Sequence, residues 1–192
     1  TGVQTCALPI SHVRIRLLNY SAPQAVKALE NNIIDFAIVS TPVLVHKHMH
    51  QEKLVSYDEI LLGGTKYKQF AQQVHYLEDI SEMPLIGLCE GSSTHTHYSR
   101  FFMEHDLPFE PDMEAAMTDQ VLPMITHNLG IGFYPKSLAL EAIEKELVFP
   151  IELTEPLPNR DVVVITNNHT PINSAARRFL EFLLERSEEH TS

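Results

Sequence analysis

The sequence predicts an α/β fold. Short apolar runs of strand length alternate with helical stretches along nearly the whole chain. The run Ile33 to Val39 (IIDFAIV) is almost continuously apolar, as suits a strand covered on both faces of a parallel sheet. The breaks between runs carry Ser, Thr, Asn, Gly and Pro, which cap helices and turn loops.

In chain order, Val13 to Leu18 (VRIRLL) alternates as a strand, and Ser21 with Pro23 opens a short helix whose apolar side is Ala25, Val26, Ala28 and Leu29. Asn31 and Asn32 end that helix before the strand Ile33 to Val39, giving a βαβ unit with a right-handed crossover. After a His-rich passage, Ile60 to Leu62 runs into Gly63-Gly64, which fits a bend or hinge. Residues 66 to 73 and 77 to 83 suit short helices, and 84 to 89 (PLIGLC) a strand followed by Gly91-Ser92-Ser93-Thr94 and a helix through His105. A strand is expected at 113 to 117, a helix from Thr118 to Asn128 that starts late or kinks at Pro123, and a strand at 130 to 134 (GIGFY) closed by Pro135. A helix at 136 to 145, strands at 147 to 153 and 161 to 166, and a helix at 173 to 185 complete the pattern, for which parallel sheets are expected.

Composition bounds the function. The chain has 192 residues, 44% hydrophobic, and no stretch resembles a membrane helix or a secretory signal, so a soluble domain or two small lobes is expected. With 14 Lys+Arg against 25 Asp+Glu there is no basic stripe for phosphates, and this polypeptide is not expected to bind nucleic acid by itself. The two ends look foreign. Arg186 to Ser192 (RSEEHTS) and Gln4 to Ile10 (QTCALPI) can be encoded by opposite strands of one DNA string that resembles a common sequencing adapter. Residues 1 to 11 and 186 to 192 are therefore expected to be scars, which leaves Cys89 as the single cysteine and makes a reducing compartment the easier reading.

The segments VRIRLLNYSAPQAVKALENNIIDFAIV (13 to 39), PLIGLCEGSSTHTHYSRFFMEHDLP (84 to 108), MTDQVLPMITHNLGIGFYPKSLA (117 to 139) and SAARRFLEFLLE (174 to 185), in that order, resemble the effector-binding domain of LysR-type transcriptional regulators. The resemblance implies two Rossmann-like lobes joined by two crossing segments, a type II periplasmic-binding-protein-like architecture. Lobe one would comprise 12 to 58 and 167 to 185, with its first strand and helix missing, and lobe two 59 to 166. It further implies a small-molecule effector in the cleft, no enzymatic activity, no cofactor, a cytoplasmic homodimer or tetramer in full-length form, and DNA contact only through an N-terminal domain outside this sequence. A solute-binding protein of an ABC importer shares the architecture and is the alternative. A metabolic enzyme on a similar fold is a third class.

Ser92, Ser93 and Thr94 follow a strand and open a helix, where free backbone N–H groups attract a carboxylate or phosphate. An ordinary helix cap with nothing bound explains the same residues. Because ligands gather at the carboxyl ends of strands in α/β sheets, Asn19, Ser21, Ser40, Thr41 and Thr118 should border the same cleft. Phe133, Tyr134 and Pro135, which the resemblance places at the second crossing, would add an aromatic wall, unless Phe133 packs in the core and Tyr134 faces water. Hydroxyls and helix N-termini suit a small anionic metabolite. His46, His48 and His50 would share one face of an extended strand at metal-binding reach, but a solvated loop with chance histidines accounts for them as well, and no metal is expected. No nucleophile elbow, phosphate loop or zinc-protease motif occurs, and Cys89 reads as an inert thiol in an apolar strand.

Overall fold

The computed structural model describes residues 14–191. Two sheets organise them. A three-stranded antiparallel sheet has the order β1-β9-β2, from β1 (Ala37–Ser40), β2 (Met49–Tyr57) and β9 (Arg160–Asn167). A six-stranded mixed sheet has the order β4-β8-β3-β7-β5-β6, from β3 (Glu59–Gly64), β4 (Val74–His75), β5 (Leu85–Leu88), β6 (Met113–Ala115), β7 (Ile131–Pro135) and β8 (Val148–Leu153). The α/β class holds, whereas the expected all-parallel sheets do not: β3 runs antiparallel to both β7 and β8, and only the β4–β8, β5–β6 and β5–β7 pairs are parallel.

The six-stranded sheet is buried on both faces because its strands alternate apolar side chains between two cores. Leu61, Ile131 and Phe133 face a cluster with Leu77 and Ile80 of α2 (Leu77–Ser81) and Tyr98, Phe101 and Phe102 of α3 (Ser93–Met103). Leu62, Ile86 and Tyr134 face Val121 and Ile125 of α4 (Val121–Thr126) and Ala139 and Ala142 of α5 (Lys136–Glu144). On the smaller sheet, Ala25, Val26 and Leu29 of α1 (Ala22–Glu30) pack against Val39, Val163 and Ile165.

Several local expectations change. Residues 14–20 are exposed and join no ladder despite their alternation, so the first strand of the βαβ unit does not form among the described residues. Alternation supplies a strand only where a neighbouring strand takes up its backbone groups. The Ile33 to Val39 run contributes a strand only at its end, and Ile33 and Ile38 stay half exposed. Gly63 and Gly64 are not a hinge. They lie inside β3, paired with β7 and β8, and are glycine because space is lacking: a Cβ on Gly64 would sit 2.3 Å from the Ile125 carbonyl oxygen and 2.5 Å from Asn128 Oδ1. Pro123 does delay its helix. Residues Thr118–Gln120 form a 3₁₀ turn, and α4 begins only at Val121. β9 belongs to the three-stranded sheet, although the sequence reading ran the second lobe to residue 166. The reading that residues 1 to 11 are foreign lies outside the described residues, and α6 (Ser174–Thr191) runs through 186–191.

Candidate functional site

Between the two sheets lies a cleft of about 440 Å³. From the three-stranded half it is lined by Asn19, Ser21, Ile38, Ser40, Arg160 and Val162, and from the six-stranded half by Leu88, Ser92, Ser93, Thr94, Met117, Thr118, Asp119, Tyr134 and Leu138. Its hydroxyl-rich rim follows from local chain geometry. After β5, Gly91 adopts φ +83, a left-handed conformation open to glycine, and so turns the chain to set Ser92 at the N-cap of α3. Ser92 Oγ accepts from the His95 N–H at 3.1 Å, which leaves the N–H groups of Ser93 and Thr94 without intrahelical acceptors. They sit where the partial positive charge of an eleven-residue helix is greatest.

Arg160, the first residue of β9, joins the two halves. Its Nε donates to the Thr41 carbonyl oxygen at 2.8 Å, while Nη1 donates to Glu59 Oε1 at 3.1 Å and to Thr94 Oγ1 at 3.1 Å. Glu59, the first residue of β3, accepts from the Tyr98 hydroxyl with its other oxygen. Arg160 is 3% and Glu59 6% exposed, so each needs the other: a buried charge left alone costs about 3–5 kcal/mol. Burial, then the Glu59 charge, pushes the Tyr98 phenol well above its ordinary value, and it stays a donor. Burial and then the Arg160 guanidinium push His97 down to about 4, so its ring is neutral at neutral pH. Two buried side-chain atoms here have no hydrogen-bond partner, Arg160 Nη2 and His97 Nε2.

Of the residues read from the sequence, Asn19, Ser21, Ser40, Ser92, Ser93, Thr94, Thr118 and Tyr134 line this cleft together. Thr41, Phe133 and Pro135 do not. Thr41 stands behind the wall, where its carbonyl holds Arg160 and its Oγ1 accepts from the Asp161 N–H at 3.1 Å. Phe133 stacks on Tyr98 in the core with centroids 4.2 Å apart, and Pro135 is buried at the end of β7 opposite Glu59. The sequence reading missed Arg160 and Asp119. The rule that ligands gather at the carboxyl ends of strands passes over Arg160, because β9 runs antiparallel to β1 and Ser40 pairs with Val162. The start of β9 therefore lies beside the end of β1, and a single Arg just before the apolar run Val162 to Ile165 is the available signal. The histidine passage takes another form: His46 meets Glu30 at 3.0 Å and stacks on His48, which stacks on His169, and no group able to hold a metal occurs among the described residues. Cys89 is a half-buried free thiol just past β5.

The model of the LysR substrate binding domain matches residues 10–188, nearly the whole chain. The chain belongs to this family. LysR substrate binding domains are regulatory, ligand-sensing domains and not enzymes. Solved structures agree in fold. The regulatory domain of CcmR from Synechocystis PCC6803, in complex with 2-PG, matches with a TM-score of 0.75 at 14% identity, over 87% of this chain and 80% of that one. The effector binding domain of QuiR in complex with shikimate gives 0.77 at 16% identity, over 89% and 80%. The bromide-bound regulatory domain of HypT from Salmonella typhimurium gives 0.71 at 16%, over 88% and 80%. No curated protein matches the sequence significantly. No helix among the described residues is long and apolar enough to cross a membrane.

Proposed function

We propose that this LysR-family domain senses a small anionic metabolite held in the cleft between its two sheets. The observation that carries the reading is Arg160, a residue of the cleft wall whose Nη2 is buried and has no hydrogen-bond partner. A buried donor without an acceptor costs about 1–3 kcal/mol, and a carboxylate or phosphate oxygen would relieve that cost with a charge-assisted hydrogen bond. The Ser93 and Thr94 N–H groups and the surrounding hydroxyls add donors of the same polarity. Asn19, Ser21, Ser40, Ser92, Thr118 and Tyr134 complete the ligand-binding set, and Thr41, Phe133 and Pro135 support it from behind.

Because Arg160 stands on the smaller sheet and its partners Glu59 and Thr94 on the larger half, a ligand at Nη2 would bear on both. The effector then favours one relative arrangement of the halves, and the regulator responds through a homodimer or tetramer whose DNA contacts come from a separate domain, in the cytoplasm. The importer-receptor alternative is not favoured by the family match.

Calorimetric titration with a panel of small carboxylates and their neutral amides tests this reading. At least one carboxylate should bind at least about tenfold more tightly than its amide. Arg160→Gln should abolish that preference. Since this variant strands Glu59, the charge-balanced double variant Glu59→Gln/Arg160→Gln keeps the test open if the single variant does not fold. Amides binding as well as acids, or undiminished acid binding by the folded double variant, would overturn it.

A further inference from the structure

One charged group of the cleft has no role in the anion reading. Asp119 lines the cleft, and none of the ion pairs or hydrogen bonds among the described residues engages its carboxylate. Tyr134, another cleft residue, has its phenol raised by burial and then by the Asp119 charge. Arg160 is the other charged lining residue, and Glu59 already balances its charge at 3.1 Å. The cleft thus has donors on Arg160 and at Ser93 and Thr94, and one unbalanced negative charge at Asp119.

A ligand that is only anionic would be drawn to the donors and repelled by Asp119 in the same small space. We infer that the effector is a small zwitterion of the amino-acid type, with its anionic group at Arg160 and the start of α3 and its ammonium directed to Asp119. The inference rests on the anion reading and adds the second charge. Leu88, Met117, Leu138 and Val162 supply an apolar wall for the carbon skeleton. Asp119 also sits in the first turn of its 3₁₀ segment, where an acid favours the helix N-terminus. That structural role would leave ligand choice untouched, so selectivity separates the two.

The test is calorimetric titration of the full chain with α- and ω-amino acids and with hydroxy acids of the same carbon skeletons. At least one amino acid should bind about tenfold or more tightly than its hydroxy acid. Asp119→Asn, at an exposed position, should weaken that amino acid about tenfold, while the hydroxy acid, freed of the repulsion, should bind at least as tightly as before. Equal affinities in the native chain, or a variant that weakens both ligands alike, would overturn the inference. Hydroxy acids binding while amino acids do not would remove the zwitterion and leave the anion site standing. Binding by neither set would remove both.

Discussion

His97 sits beside the buried Arg160–Glu59 pair, and burial together with the Arg160 charge holds its folded-state value near 4 against an ordinary 6.5. Between those two values the unfolded chain binds a proton that the folded chain refuses, so this residue makes stability fall as the pH drops through that window. His97→Gln removes the proton site. Urea midpoints at about pH 7 and pH 5 should therefore differ less in the variant than in the native chain, with the carboxylates contributing the same background to both. Equal losses would contradict the burial of His97. At this scale the sequence was half legible. The hydroxyl cap Ser92-Ser93-Thr94 is visible because cap residues announce themselves locally, whereas Arg160 acquires its meaning only from partners 66 and 101 residues away.

β3 shows how an element's composition can mislead. Two adjacent glycines in a loop-like context suggest a hinge, yet here they let Ile125, Asn128 and Tyr67 approach the strand. Asn128 uses that closeness to accept from the Lys66 N–H at 2.8 Å, which fixes the chain just beyond β3. Gly64→Ala would push a methyl group into the Ile125 carbonyl and the Asn128 amide, and should destabilise the domain by about 1–3 kcal/mol in urea unfolding. A neutral or stabilising alanine would mean that the glycine serves flexibility after all. Helices α1, α3 and α5 and strands β5 and β7 were readable from period and punctuation. β2 was not, because eight of its nine residues escape full burial and its side chains follow no apolar alternation. Its strand character comes from pairing with β9.

At the scale of the whole molecule, the order of segments carried the family and the α/β class, while sheet direction was lost. A strand buried on both faces reads alike whether its neighbours run parallel or antiparallel, and Leu61 and Leu62 of antiparallel β3 are as apolar as Ile86 of parallel β5. The two sheets meet at the Arg160 bridge, and the central claim is that this junction receives an anion. A crystal of the domain grown or soaked in bromide, with anomalous data collected at the bromine edge, tests that claim most directly. The account predicts a bromide site in the cleft, within about 3.5 Å of Arg160 Nη2 or of the Ser93 and Thr94 N–H groups, and its loss in the Glu59→Gln/Arg160→Gln variant. Bromide bound only outside the cleft, or held there unchanged by the variant, would contradict it.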